Sequence, residues 1–271
     1  MKTVYKLLFY ILLVLLFVIL TVLTQIGGII LVITLLLSKT IKYKLPFKTL
    51  LVFIILYSTA TFLLVPKIAK ISGREKVIQS SSIKPANYIS VILNRNYVLP
   101  EVNKLLRSAA YELKYQNSSI QIRYLDACFP FINGFPLLPH LSHNDGKKID
   151  LSLVYENQDG IIINKSKSIS GYGVFENALN NEFNQTQRCF EQGYLQYDFP
   201  KYLTLGRINS NLKFSEKGTK QLLLALLKEK TISKIFIEPH LKNRMGIKDT
   251  RVRFQGCRSV RHDDHIHIQI N

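Results

Sequence analysis

Five of the six histidines of this 271-residue chain fall in two short runs. One is His140-Leu141-Ser142-His143-Asn144-Asp145-Gly146-Lys147-Lys148-Ile149-Asp150; the other is Arg261-His262-Asp263-Asp264-His265-Ile266-His267-Ile268-Gln269-Ile270. Packing does not explain such clustering. Neutral imidazole and carboxylate are ordinary ligands of zinc, and a catalytic zinc uses three protein ligands and keeps a fourth position for water. The two runs read as halves of one metal site.

Each half needs an element to hold it. In the second run His265, His267 and Gln269 alternate with Ile266, Ile268 and Ile270, the period of a strand, so histidine and isoleucine face opposite sides. His262 precedes that strand by three residues and can fold over the same space. In the first run Gly146 suits a sharp turn, and the stretch from Ile149 to Tyr155 alternates as a second strand with Asp150 near its start. A histidine on the loop and an aspartate seven residues later can converge on one ion.

At these positions His143-x-x-Gly146-x-x-x-Asp150 followed by His265-x-His267 resembles the zinc peptidase superfamily of lysostaphin-type enzymes and D-alanyl-D-alanine carboxypeptidases. With His140 and His262 added, the pattern resembles most the penicillin-insensitive murein endopeptidases within it. The resemblance covers roughly the second half of the chain. It implies zinc ligands His143, Asp150 and His267, a catalytic His265, and His262 and His140 assisting. It also implies a substrate, the peptide cross-links of peptidoglycan, or a terminal D-alanine for the related carboxypeptidases.

The N-terminal part is of another kind. Leu7 to Leu37 and Thr49 to Val65 contain no charged residue, and a span needs about 20 apolar residues. A cleaved signal peptide is the alternative for the first run, but its apolar core is too long and a second run follows. Two or three spans fit, with Gly27-Gly28 marking a kink or turn. Lys39, Lys42, Lys44 and Lys48 crowd the connection between the runs and place it in the cytoplasm, so the histidines lie beyond the membrane, facing the periplasm or cell wall. Three spans also put Lys2 and Lys6 inside.

The first 71 residues hold eight of the 36 basic residues and no acid, leaving 28 basic against 18 acidic in the remainder. A net basic surface suits acidic lipid, nucleic acid or wall polymers, or is simply solvated lysine. No nucleic-acid motif is present. Residues 72–97 read as a linker with one strand at Tyr88 to Leu93. Residues 98–271 read as an extracytoplasmic zinc metallopeptidase-like domain. The expected class is α+β, with transmembrane helices followed by a small antiparallel sheet that carries the zinc site and is flanked by helices.

Within that domain, the apolar steps from Val102 to Leu113 predict an amphipathic helix starting near Pro100. Ser119 to Tyr124 predicts a strand leading into the loop that presents His140 and His143, with Asp126 either reaching the site or, the favoured reading, capping the turn. Asn157 to Lys213 has no sustained period; its aromatics, among them Tyr172, Phe175, Tyr197 and Tyr202, form either a substrate wall or an irregular insertion. Ser215 caps a predicted helix, a strand covers Lys234 to Glu238, and His240 after it is a possible addition to the site. Cys128, Cys189 and Cys257 allow one disulfide and a free thiol.

The reaction implied is zinc-assisted peptide hydrolysis, with His265 handling a proton or the oxyanion, His262 over the water, and Asp264 or Asp263 either orienting an imidazole or standing as a solvated turn residue. Arg251, Arg253, Arg258 and Arg261 lie close in sequence to the site and could take peptide carboxylates. A second class is a zinc- and wall-binding module without catalysis; a third is a histidine cluster without metal.

Overall fold

The structure, a computed structural model, describes residues 2–41 and 46–271. Lys42 and Lys44, which carry part of the orientation argument, lie outside the described residues.

Three apolar helices come first: Lys2–Thr24, Gly27–Thr40 and Lys48–Ser72. Among the described residues, the first and third are long and apolar enough to cross a membrane, and the second, at 14 residues, is shorter. The first pair is joined by a break at Gln25–Ile26, where Thr24 Oγ1 accepts from Gly27 N at 2.8 Å. A Cβ on Gly28 would sit 2.1 Å from Thr21 Oγ1, so only glycine lets the two helices approach this closely. The third helix widens to a π turn over Ala60–Leu64 just before Pro66, which has no N–H to give the preceding turn.

The rest is a mixed helix-and-sheet domain whose strands are β1 (Glu75–Lys76), β2 (Ile83–Pro85), β3 (Tyr97–Val98), β4 (Ile122–Tyr124), β5 (Lys148–Ser152), β6 (Tyr155–Glu156), β7 (Ile162–Ile163), β8 (Lys213–Phe214), β9 (Ile232–Phe236), β10 (Val252–Arg253) and β11 (His265–Ile270). The main sheet runs β10-β9-β11-β5-β4-β2. Its centre, where β11 pairs with β5 and β9, is antiparallel, whereas the outer pairs β10–β9 and β2–β4 are parallel. Small antiparallel sheets β1–β3 and β7-β6-β8 flank it.

One face of this sheet is covered by the helices Pro100–Gln116 and Glu216–Leu227, both at the predicted places. Ser215 caps the second, its hydroxyl accepting from Gly218 N at 3.3 Å. Ile149, Leu151, Ile266, Ile268, Val102, Leu106, Leu222 and Leu226 all belong to one core, each such side chain contributing about 1.5–3 kcal/mol on burial.

Residues 72–97 are not the linker expected. β1, β2 and β3 lie in this segment or at its edge, Val77 and Ile83 join the core, and the strand predicted over Tyr88 to Leu93 is instead a helical turn, Ile89–Ile92. The segment also docks onto the apolar helices: Tyr57 Oη donates to Ile92 O at 2.7 Å and Asn94 Nδ2 to Thr61 Oγ1 at 3.2 Å. Ile26, Ala60, Val65, Ala69 and Tyr97 form a second core there, with Phe131 packed on it.

Candidate metal centre

The register of the two central strands makes the site. In the β11–β5 pairing His267 lies opposite Asp150 and His265 opposite Ser152. Paired residues share a face, so burying Ile266, Ile268 and Ile149 against the helices drives His265, His267 and Asp150 together on the other face. Asp150 is fully buried and both histidines nearly so.

The loop after β4 brings the other imidazoles. Gly146 turns it at φ +81°, and a Cβ there would meet Arg74 Nε and Leu99 Cγ at 3.2 Å. Arg74, buried just past the third apolar helix, donates to Phe129 O, Asn133 Oδ1 and Asn144 O. Phe131 N reaches Gln25 Oε1 at 3.0 Å. The histidine loop is thereby strapped to the break between the first two helices and to the end of the third.

His140, His143 and Asp150 each offer a ligand atom, all within 4.8 Å of one another, and could hold a metal ion. His143 Nε2 lies 3.2 Å from Asp150 Oδ1 and 3.0 Å from His267 Nδ1, and His267 Nδ1 lies 2.9 Å from the same oxygen. His143 Nδ1 is 2.8 Å from Ala127 O, a contact that requires its proton there and leaves Nε2 as a lone pair. His140 Nδ1 sits 3.4 Å from Asp150 Oδ2 and 3.3 Å from Asp126 Oδ2, without a geometrically sound hydrogen bond to either. Among the described residues, His267 Nε2 is buried without a partner. His143 Nε2 is thus a lone pair beside the Asp150 carboxylate, with the unpartnered His140 Nδ1 next to it.

Further out, His265 Nδ1 lies 2.5 Å from Asp264 Oδ1, and Asp264 Oδ2 accepts from Gly173 N. His262 stacks near His265, ring centroids 4.8 Å apart. Burial lowers an imidazole, but Asp264 and Asp150 outweigh it for His265, which rises to about 9. For His267 burial wins over Asp150, helped by the repulsion of His143 and His265, and it falls to about 4. For His262, burial and then His265 and His267 outweigh Asp150 and hold it well below the usual imidazole range. Asp150 is pushed up by burial and pulled further down by His143, His265 and the bonds from His143 and His267, so its carboxyl lies well below 3.8.

A cavity of about 360 Å³ opens on this cluster, lined by His140, His143, His262, His265, His267 and Arg258 among others. Of the four arginines near the site only Arg258 lines it. Arg251 pairs with Asp249 at 2.8 Å, and Arg253 is exposed at the end of β10. Arg261 is buried rather than exposed: its guanidinium holds Asp263 at both oxygens and Asn177 Oδ1, and stacks on Phe175 at 3.9 Å. Asp263 therefore orients no imidazole of the cluster.

Two other expectations change. Asp126 does not merely cap a turn; buried, it faces His140 and pairs with Arg95 at 3.2 Å. His240, on the helix Pro239–Arg244, does not line the histidine cavity; its Nε2 bonds Glu176 O at 2.7 Å and lies 3.7 Å from Asp263 Oδ2. A residue that periodicity could not find is Tyr172, whose hydroxyl donates to Asp150 Oδ2 at 2.9 Å and accepts from Asp126 N at 3.1 Å. Glu238 is another: it receives His262 N at 3.0 Å and Tyr197 Oη at 2.6 Å. Both tyrosines come from the aperiodic stretch after Asn157, and only three-dimensional proximity marks them. Cys189 and Cys257 form a disulfide, while Cys128 is free and buried, accepting from Gly146 N.

No protein-family model matches the chain, and no curated protein matches it.

Proposed function

We propose that the chain is a membrane-anchored zinc peptidase acting on the peptide cross-links of peptidoglycan, with ligands His143, Asp150 and His267. One observation carries the metal reading: the triangle of His143 Nε2, Asp150 Oδ1 and His267 Nδ1, with edges of 3.2, 2.9 and 3.0 Å. Ligand atoms around a tetrahedral zinc with bonds of about 2.0–2.1 Å lie roughly 3.3 Å apart. The donors, two imidazoles and a carboxylate without thiolate, suit zinc, and the unpartnered Nδ1 of His140 lies on the same cluster.

Bound there, zinc supplies a Lewis acid and a water of lowered pKa. The chain's own residues support the rest of a hydrolysis. His265, its Nδ1 held by Asp264 and its Nε2 3.7 Å from Asp150 Oδ2, lines the cavity beside the ligands, where an imidazole can serve a developing oxyanion or a departing amine. His262, kept neutral, is a second polar group on the same wall. Tyr172 fixes the Asp150 carboxylate, so its other oxygen stays aimed at His143 and His267. His140 and Asp126 close the far side.

The two apolar helices of span length support anchoring. The Cys189–Cys257 disulfide supports a domain outside the cytoplasm, where such bonds persist. Arg258, the arginine of the cavity, favours as second reading a D-Ala-D-Ala carboxypeptidase, in which a cation would take the terminal carboxylate.

The test uses the full chain in detergent, because its domain and helices share a core. Zinc content is measured for the parent, His143→Ala and His267→Ala, and the same samples are incubated with isolated peptidoglycan. The reading expects one zinc per chain in the parent alone and release of cross-linked peptides only by the parent. Release of D-alanine only would select the carboxypeptidase, zinc without product the binding module, and a metal-free parent would refute the site.

A further inference from the structure

A second cavity, of about 290 Å³, lies on the other side of His140. Pro139 and His140 line both cavities and so form the partition between them. The histidine-lined cavity is polar; the second is walled by Leu93, Leu125, Leu138, Leu203 and Leu205. Among the described residues its one guanidinium or ammonium group, that of Arg95, already pairs with Asp126 and the Leu138 carbonyl. Asp126, His140 and Tyr172 close its inner end, next to Asp150.

The outer wall is Leu23, in the last turn of the first apolar helix. Leu23 and Ile19, one turn earlier, are 41 % and 52 % exposed on a helix long and apolar enough to cross a membrane. On the anchoring reading, the cavity therefore joins bilayer hydrocarbon to the metal cluster. Its rim is also apolar and uncovered: Leu138 is 50 % and Leu205 62 % exposed. Leu205 sits at φ 54°, a conformation leucine rarely adopts, between Thr204 and Gly206. A leucine held in that conformation with most of its surface uncovered is not serving the protein's own core; strain of this kind concentrates at ligand-binding positions.

We propose that this cavity seats the hydrocarbon chain of a lipid-linked peptide substrate, entering laterally past Leu23, while the peptide crosses His140 into the histidine-lined cavity. A two-part substrate matches a two-part site: an apolar arm in a leucine-walled pocket, where burial of methylenes is favourable, and a polar arm beside the metal ligands. The inference rests on the peptidase and anchoring readings above, and names their substrate as one held in the membrane.

The test reconstitutes the full chain in phosphatidylglycerol nanodiscs. A cross-linked peptidoglycan peptide is supplied either free or joined to a dioleoyl lipid, to the parent, Leu205→Asn and Leu93→Asn. Asparagine tolerates the left-handed conformation at position 205, and position 93 tests the opposite wall. The ratio of kcat/KM for lipid-linked over free peptide is expected to fall about tenfold in both variants. A ratio unchanged in both, with free peptide still cut, would overturn the proposal and leave the peptidase standing. If the parent cuts neither peptide, the peptidase reading fails, and a lipid with a diazirine at its chain end reads the cavity directly. Cross-links at Leu203–Leu205 and Leu93, displaced by the lipid-linked peptide, support the proposal. Labels confined to the outward faces of the apolar helices overturn it, and so do labels that the peptide does not displace, which mark a resident lipid.

Discussion

Two fully buried aspartates, Asp150 on the strand beside β11 and Asp263 in the turn that enters β11, meet opposite fates. Asp263 is paired with Arg261, whose Nε and Nη2 contact its two oxygens, while Nη2 also reaches Asn177 and Nη1 reaches Asp198. Asp150 has no arginine; it faces His140, His143, His265 and His267, two of which carry unpartnered nitrogens. A buried charge needs a fixed counter-charge or a ligand. The first network has a fixed counter-charge, although burial and Glu238 still raise the Asp263 carboxyl to about 7; the second is held only by imidazoles, which a cation could replace as partners. That difference, more than the number of histidines, separates scaffold from site.

The sharpest way to break the contrast is to remove a donor from each. Asp150→Ala is expected to abolish metal retention, measured by metal analysis after gel filtration, since even outer partners of a ligand cost about 10–100-fold in affinity. A variant that keeps its metal would end the distinction. Arg261→Met should act oppositely. It removes the counter-charge of a carboxyl that burial already raises to about 7, so the loss of stability, up to about 3–5 kcal/mol where Asp263 is ionised, should grow as pH rises, read as a lowered Tm of the full chain. Its folded fraction should retain metal. Arg261→Met combined with Asp263→Leu should recover most of the loss, because the cost is the stranded charge.

Tyr172 tests the border between the two networks. Tyr172→Phe removes the donor to Asp150 Oδ2; metal affinity should fall about tenfold, measured by competition with a chelator. An unaltered affinity would show that the hydroxyl serves only the Asp126 amide.

What the sequence made legible follows the same division. The strand β11 could be read because Ile266, Ile268 and Ile270 alternate with polar residues over six positions, and the loop histidines because their residue type is chemical before it is structural. The segment 72–97 misled because β1, β2 and β3 are two or three residues long, too short for a period to show, and because the β-branched Ile89, Val91 and Ile92 favour strand while tertiary contacts make them helical. Tyr172 and the pair of Asp126 with Arg95 are non-local. Nothing in the residues around them encodes that Asp150 will arrive on the next strand. Asp263 stands two residues before His265 and yet pairs with Arg261 instead of an imidazole of the cluster, which shows how little adjacency says about partners.

The smallest effect concerns a third carboxylate, between those extremes. Glu182 is neither stranded nor sealed: Arg244 donates to both its oxygens, at 2.8 and 2.5 Å, and Leu179 N to one of them at 2.8 Å. These bonds hold its carboxyl at about 2, against an ordinary 4.5. The unfolded chain therefore takes up the proton first as pH falls, so the bridge stabilises fully above about 4.5 and loses its contribution progressively down to about 2. The side chains remain 17 % and 16 % exposed, and solvent screening keeps the effect near that of a surface pair, at most about 1 kcal/mol. Comparing Tm for the parent and Glu182→Gln from pH 7 downward cancels the titration of every other carboxylate. The parent should be the more stable at pH 7, and the gap should close as pH approaches 2. A gap independent of pH would mean that the substituted amide loses shape complementarity rather than charge. Metal content should be the same in both proteins at pH 7, because Arg244 and Glu182 tie the helix Pro239–Arg244 to the loop around Leu179 and make no contact with the histidine cluster.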